Sequence, residues 1–329
     1  MPVQILDTHS KENDKYWGLK IISLENKSMK IRLSSSKRST LRDCPYKLFL
    51  QQQGLKSTKK SSALIHGSAW HVIQETLYEH IKVKGWGDIE GAVLACGVAA
   101  KAFWVDEMTK SDIWMDYRDL TTEMEMLLLY MNHYASDEGF LEVVSTEEKF
   151  ELVVPLSQLL IDEGLVEEIT YSGVIDLRCK INGIPWLVDH KTTAGSITTE
   201  ANKLNRSLQF IGYAWGEQEI YGEAEGFMAN FAGCSCRKKK DGTWGKKNIQ
   251  FSRSPQLYTD EDYEVFLQDV TFAVKEVAMY YDTGIWPKNY NSCYNYGRCG
   301  MYNQCQSGSL EPMEFYKVDL EEKGSDLLY

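Results

Sequence analysis

The chain has 329 residues, of which 43% are hydrophobic and 25% are charged. This composition is typical of a globular protein with a large core, and it excludes an intrinsically disordered chain. The 47 acidic residues outnumber the 36 lysines and arginines, and the net charge of −11 should repel a polyanion unless basic residues cluster locally or cations bind.

The sequence shows no membrane-spanning or secretory segment. Its longest apolar runs, such as Met124–Tyr130, are far shorter than the ~20 residues that span a bilayer. The N-terminus lacks the positive, apolar and small-residue pattern of a signal peptide. We therefore expect a cytoplasmic protein with no membrane partner, whose eight cysteines are thiols or metal ligands rather than disulfides.

The first half of the chain has a predominantly helical pattern. Residues 1–30 alternate weakly and are interpreted as a leader or an edge strand. Serines that begin at Ser34 can cap a helix that Pro45 bends, and a polar loop follows. Apolar residues at helical spacing then predict a helical lobe over residues 63–140.

The second half changes to a β-rich pattern near Glu142. Apolar runs separated by turn signals predict strands, and Asn182-Gly183 predicts a two-residue hairpin turn between two of them. The remaining predicted segments, in chain order, are a helix at 200–219, a strand, a basic hairpin at 236–248, a helix near 260–281, a cysteine-bearing loop at 290–306 and an acidic tail at 311–329.

The predicted hairpin brings charged residues together at one end. Asp176 lies near the end of its first strand, and Asp189 and Lys191 lie near the end of its second strand. Because residues two apart on a strand face the same side, Asp189 and Lys191 should point together. The simplest interpretation is a surface ion pair, but VDHK follows the apolar run IPWL. Hard oxygen ligands at the end of a buried strand indicate a Mg²⁺ or Mn²⁺ site.

Four motifs in this order give the sequence a family resemblance. Gly173-Val-Ile-Asp176 and Val188-Asp-His-Lys191 resemble the core motif of the PD-(D/E)XK nucleases. Gly67-Ser-Ala-Trp-His71 and Gln209-Phe-Ile-Gly-Tyr213 are similar to two further motifs of the RecB/AddB branch of that superfamily. Taken alone, the histidine would be a structural residue and Gln209 and Tyr213 would be neighbours on a helix face.

The resemblance implies a role for each of these residues. His71, Asp176, Asp189 and the backbone carbonyl of His190 would hold the divalent ion. Lys191 would position the attacking water or help to deprotonate it, and would stabilise charge on the phosphate. Gln209 and Tyr213 would orient Lys191 and the scissile phosphate. His66 is interpreted as incidental.

A group of cysteines near the C-terminus indicates a second centre. Cys293, Cys299 and Cys305 are separated by equal gaps in a loop rich in Gly and Tyr. With a fourth ligand they fit an iron–sulfur cluster or a zinc ion, and the absence of close C-x-x-C pairs favours iron. Buried free thiols are the alternative. The resemblance implies a 4Fe–4S cluster with Cys44 as its fourth ligand and with a structural role.

The resemblance covers most of the chain and implies an α/β fold. A mixed central sheet flanked by helices would contain strands near 146–154, 170–181, 184–190 and 226–233, with the helical lobe as an addition. One nuclease domain would then occupy residues 31–310, with its catalytic core at 142–235. The cluster would join the N-terminal and C-terminal segments of this domain.

The implied function is a metal-dependent DNA exonuclease that acts on single-stranded DNA or DNA ends in recombination, repair or replication. The basic hairpin is either a solvated tip or a DNA contact that combines charge with a stacking ring. No phosphate-binding loop of the helicase type is present, so a helicase or recombination partner would be a separate chain, and an oligomer is compatible with the sequence. A bacterial or phage-infected cell is the expected setting. The residues of this hairpin that would contact DNA are Arg237, Lys238, Lys239, Lys240 and Trp244.

Two other classes of function are compatible with parts of the sequence. A non-catalytic DNA-binding or assembly module would keep the cysteines and the fold but lack part of the metal-binding set. An electron-transfer or redox-sensing protein would use the cluster itself, and it would leave the nuclease-like residues without a role.

Overall fold

The structure is a computed structural model that describes residues 28–57, 59–222, 226–295, 297–308 and 315–317. Most of the expected leader and of the expected acidic tail lies outside these residues. The helices are α1 (Ser35–Asp43), α2 (Pro45–Gln52), α3 (Ser62–Lys84), α4 (Ile89–Lys110), α5 (Leu120–His133), α6 (Gln158–Glu163), α7 (Ile197–Leu204), α8 (Leu208–Tyr221), α9 (Asp260–Thr283) and α10 (Tyr302–Ser307).

The strands form one large sheet and two short pairs. They are β1 (Met29–Ser34), β2 (Leu55–Ser57), β3 (Lys59–Ser61), β4 (Asp112–Trp114), β5 (Leu141–Val154), β6 (Val166–Ile181), β7 (Ile184–Thr193), β8 (Gly226–Ser235), β9 (Asn248–Gln256) and β10 (Phe315–Lys317). The large sheet has the order β1-β6-β7-β8-β9, with β5 also paired to β6. Within this large sheet, β1–β6 and β7–β8 are parallel, and β5–β6, β6–β7 and β8–β9 are antiparallel, so the sheet is mixed.

Helices cover both faces of this sheet. One hydrophobic cluster packs α8 and α9 against the sheet through residues such as Phe210, Phe227 and Phe266. A second cluster packs α3, α4 and α5 against the opposite face through residues such as Trp70 and Tyr130. The expected mixed sheet flanked by helices is therefore confirmed, and the expected helical lobe consists of three separate helices.

The start of the domain differs from the sequence prediction. Residues 29–34 form β1, which pairs with the first half of β6. The single bent helix that we predicted is two helices, because Cys44 adopts an extended conformation with φ −164° directly before Pro45. A residue before proline disfavours the helical conformation. This break places Cys44 at the junction of α1 and α2.

The β6–β7 hairpin has the predicted turn. Ile181 pairs with Ile184 across the turn, and both turn residues have positive φ, 53° at Asn182 and 82° at Gly183. Two consecutive positive φ angles define the type I′ turn that matches the twist of a hairpin. The turn fixes which residues of β6 and β7 face each other.

A largely buried ion pair links the helical lobe to the edge of the sheet. Arg253 of β9 donates from Nη1 to Asp137 Oδ1 (3.0 Å) and from Nη2 to Asp137 Oδ2 (2.5 Å). Its guanidinium lies 3.9 Å from the centre of the Tyr134 ring. Asp137 is buried in the 3₁₀ turn after α5. A buried charge requires such a partner.

Within the described residues, no helix combines the length and the hydrophobicity that a membrane crossing requires.

Candidate active site

The candidate site lies where β6 and β7 separate. Pairing between these strands extends from the turn to Leu177 and Val188. The next residue on each strand is a carboxylate, Asp176 on β6 and Asp189 on β7. Because β5 occupies one edge of β6 along its length, β1 and β7 share the other edge. Residues 173–176 lie between the segments that these two strands occupy, which leaves an opening in the sheet.

Asp189 is held by one side chain of β7 and by one side chain of α8. The carboxylate is only 2% exposed. Lys191 Nζ lies 2.6 Å from Asp189 Oδ2, and Gln209 Nε2 donates to Asp189 Oδ1 at 3.2 Å. Gln209 lies in the first turn of α8 and also donates to the Tyr213 hydroxyl, one helical turn further, at 3.4 Å. The structure thus brings four of the sequence-predicted residues together.

Asp176 is held by the backbone of β7 and by α3. The backbone N–H of His190 donates to Asp176 Oδ2 at 2.7 Å. His71 Nδ1 lies 3.2 Å from the same oxygen. Helix α3, which carries His71, packs against β5, β6 and β7. The histidine and both aspartates predicted from the sequence therefore line one opening.

The side chain of His190 points away from these carboxylates. Its ring stacks on Tyr78, with centres 5.7 Å apart and an interplanar angle of 15°. Asn230 Nδ2 lies 2.9 Å from His190 Nδ1, and burial lowers the pKa of His190 to about 3. The imidazole is therefore neutral, and it is a packing residue of the lobe. Only the backbone of His190 faces the site.

His66 belongs to the core of the helical lobe. Its Nδ1 lies 3.1 Å from Glu123 Oε1, and both residues are buried. The Trp104 indole N–H donates to the other oxygen of Glu123 at 2.6 Å. Such mutual satisfaction of buried polar groups stabilises packing, and none of these groups reaches the opening.

One carboxylate of the site lies outside the sequence motifs. Glu147 of β5 lies across from Asp176, because Thr146 pairs with Leu177 and Glu148 pairs with Ile175. Glu147, His71 and Asp176 each offer a ligand atom within 4.8 Å of the others. Burial, followed by the charge of Asp176, raises the pKa of Glu147 to about 7. Only the pairing of β5 with β6 identifies this residue, so no local pattern indicates it.

Burial raises the pKa of one aspartate of the site, while the pKa of the other stays low. Burial raises the pKa of Asp189 to about 6 although Lys191 opposes this rise. At Asp176 burial also opposes ionisation, but the hydrogen bond and the charge of His71 hold the pKa below its ordinary value. Three carboxylates that crowd one opening repel each other unless a cation lies between them. The arrangement therefore suits a divalent metal ion.

Lys191 is a cation in this arrangement. Burial disfavours its charge, but Asp189 more than compensates and raises the lysine pKa above its ordinary value. An ammonium group donates hydrogen bonds and accepts no proton. In this form Lys191 suits the stabilisation of phosphate charge.

The structure also brings four distant cysteines to one cavity. Cys44, Cys293, Cys299 and Cys305 all line a cavity of about 540 Å³. The backbone N–H of Asn289 donates to Cys44 Sγ at 3.4 Å. Among the described residues, no three of these sulfurs lie within 4.8 Å of one another. Apolar residues pack beside the cavity, namely Tyr46, Phe49, Leu50, Leu55 and Met301.

The basic hairpin connects β8 to β9. Lys238 pairs with Trp244 across it, and Gly242 at its tip has φ 85°. The Trp244 ring packs on the Tyr117 ring with centres 5.1 Å apart, so part of the indole surface is already in contact with the protein. The cationic side chains on the first arm are exposed, namely Arg237, Lys238, Lys239 and Lys240.

Comparison with known proteins identifies the class. Residues 32–306 match the family model of the PD-(D/E)XK nuclease superfamily, and the chain belongs to this superfamily. No curated protein sequence matches the chain.

Two solved structures are similar to the chain. A crystal structure named "Putative exonuclease", from Eubacterium rectale, has 14% sequence identity and a TM-score of 0.45, with 99% of each chain covered. The crystal structure of SSO0001 has 10% identity and a TM-score of 0.31, covering 76% of this chain and 87% of the other.

Proposed function

We propose that this nuclease is a divalent-metal-dependent deoxyribonuclease that acts as an exonuclease on single-stranded DNA or DNA ends. The observation that carries the proposal is the meeting of Asp176, Asp189 and Lys191 at the opening between β6 and β7. In a chain of this superfamily, the donor atoms of this opening fit Mg²⁺ or Mn²⁺, because these ions prefer carboxylate oxygens and accept imidazole.

Each residue of the site has its own role in this proposal. Asp176, Asp189, His71 and the His190 carbonyl hold the ion, which supplies a polarised phosphate and an activated water when bound. Lys191, kept protonated by Asp189, stabilises the charge that develops on the phosphate. Gln209 fixes Asp189 and contacts Tyr213, and this pair thereby orients Lys191.

DNA is the substrate class that we propose, with the basic hairpin as a further contact. Its exposed lysines attract phosphates in a chain whose net charge is −11, and such contacts make binding dependent on salt. We also propose, from the family resemblance alone, a role in recombination, repair or replication in a bacterial or phage-infected cell, with a separate helicase or recombination partner.

We propose that the four-cysteine cavity holds a 4Fe–4S cluster. Four thiolates that line one cavity suit either a zinc ion or an iron–sulfur cluster, and the lack of close C-x-x-C pairs among them favours iron. Such a cluster would join the α1–α2 junction to the segment 293–305, which is a structural role.

The first test is cleavage of end-labelled single-stranded and double-stranded DNA with Mg²⁺ or Mn²⁺. Anaerobically purified wild type is compared with Asp189→Ala and Lys191→Ala. We expect metal-dependent cleavage by the wild type and a loss of at least 100-fold in each variant, since a positioned charge contributes roughly 10²–10³ in rate. Asp106→Ala, an exposed residue of α4, serves as the control and should cleave normally. A product ladder would establish exonuclease action and its polarity.

The opposite outcome is equally informative. A folded wild type that binds DNA but leaves every DNA form intact with both metals would contradict the proposal. It would favour the non-catalytic binding or assembly module.

A further inference from the structure

The metal ligands that the sequence motifs imply differ from the donor atoms that lie closest together in the structure. His71, Asp176 and Glu147 each place a donor atom within 4.8 Å of the others. Asp189 is outside this group, and its two oxygens are engaged by Lys191 and Gln209. A Mg²⁺ ion with bonds of about 2.1 Å separates its ligand atoms by roughly 3 to 4 Å. Small side-chain rotations would therefore bring the three donors onto one ion.

Glu147 reaches this position through an unusual backbone conformation. Its φ is +45°, although it lies within β5. Among the non-glycine residues that the structure describes, only Asn182 also has a positive φ, and the hairpin turn requires that angle. The left-handed conformation is unfavourable for a residue with a Cβ, because the Cβ approaches the following carbonyl oxygen. Strain of this kind collects at functional sites.

Within the described structure, no side-chain hydrogen bond of Glu147 compensates for this conformation. The interactions of the Glu147 carboxylate are electrostatic, with Asp176, His71, Glu75 and Asp189, and three of these four partners are acidic. The neighbouring Glu148 differs, because it contacts Ser145, Tyr221 and Arg178. The strand thus carries one satisfied carboxylate and one that is turned toward other carboxylates.

We propose that Glu147 is a ligand of the divalent cation, which it binds together with His71 and Asp176. This inference rests on the proposed metal-dependent function and adds a third strand, β5, to the metal centre. The strained backbone of Glu147 is then retained because a relaxed residue would withdraw the ligand.

Two substitutions separate ligation from strain. Glu147→Gln keeps the shape and removes the charge, whereas Glu147→Asn shortens the side chain and tolerates positive φ. Mn²⁺ binding is measured by calorimetry without DNA, and the stability of the metal-free protein is measured by urea denaturation in EDTA. Glu148→Gln is the matched control.

We expect both Glu147 variants to bind Mn²⁺ at least tenfold more weakly than the wild type and Glu148→Gln to bind it normally. Glu147→Asn should also raise the urea midpoint of the metal-free protein, which a purely structural role for Glu147 would not produce. Wild-type Mn²⁺ affinity in Glu147→Gln, or no Mn²⁺ binding by the wild type, would overturn the inference. A wild type that binds Mn²⁺ through Glu147 but cleaves no DNA would contradict only the proposed nuclease reaction.

Discussion

Glycine residues in α8 show how closely the site is supported by its surroundings. A Cβ built on Gly212, next to Tyr213, would lie 2.5 Å from a carbon of the Phe266 ring and 2.6 Å from the Tyr171 hydroxyl. All the side chains involved are buried. The helix that carries Gln209 and Tyr213 therefore approaches α9 and β6 at a distance that only glycine permits.

We expect Gly212→Ala to lower the free energy of unfolding by about 1–3 kcal/mol, because the added methyl overpacks the core. The control is Gly97→Ala in α4, where the new Cβ would meet only Met124 at 3.5 Å. This substitution should stabilise the protein by roughly 0.5–1 kcal/mol through helix propensity. Urea denaturation measures both, and equal effects of the two substitutions would contradict the packing argument.

At the scale of elements, local pattern predicted some parts of the fold and failed for others. Alternation along β7 placed Asp189 and Lys191 on one side, and they are in contact. The edge strand β9 has no fully buried residue, so it lacks the apolar pattern that identifies a strand. Glu147 depends on how β5 is aligned with β6, and such register between distant segments is absent from any short stretch of sequence.

The contact between β9 and the helical lobe gives a second prediction. Removal of the Asp137 carboxylate by Asp137→Ala leaves the largely buried Arg253 without its carboxylate partner, and loss of one partner of a buried pair typically costs about 3–5 kcal/mol. The adjacent Glu138 is exposed, and Glu138→Ala should change stability by no more than about 0.5 kcal/mol. The comparison uses urea denaturation. A small effect of Asp137→Ala would mean that water reaches the Arg253 guanidinium.

The basic hairpin gives a third prediction, which concerns binding rather than stability. The double substitution Lys239→Ala with Lys240→Ala should weaken single-stranded DNA binding and reduce the slope of log K against log salt by roughly 1.4, since each phosphate contact contributes about 0.7. Fluorescence anisotropy over a range of salt concentrations measures this slope. Lys101→Ala, exposed on α4, should leave it unchanged. An unaltered slope in the double variant would mean that these two lysines remain solvated and make no phosphate contact.

At the scale of the whole molecule, the cysteine cavity closes the chain on itself. Ser292 donates to the backbone carbonyl of Asp43 across 249 residues, and Cys44 and Cys293 line the same cavity. A cross-link over such a distance restricts the unfolded chain strongly, on the order of 4 kcal/mol or more in the chain-entropy model. The proposed cluster would therefore be a main source of stability.

We expect Cys44→Ser and Cys299→Ser to lose bound iron and to lower the unfolding temperature by similar amounts. The double variant should be no less stable than either single variant, because one ligand loss already opens the link. Iron content and calorimetry provide the measurements, and Cys236→Ser is the control. Full iron retention in Cys44→Ser would exclude this residue as a ligand.

The two-residue turn at Asn182-Gly183 has a consequence for how this gene can change. Strand side chains alternate between faces, so an inserted residue that shifted the pairing by one position would send Asp189 and Lys191 to the face that now holds His190. Every residue of the proposed metal centre would still be encoded, yet the centre would not assemble. The length of this turn therefore matters to the proposed site as the carboxylates do, and insertions should be tolerated in the 236–248 hairpin more readily than here.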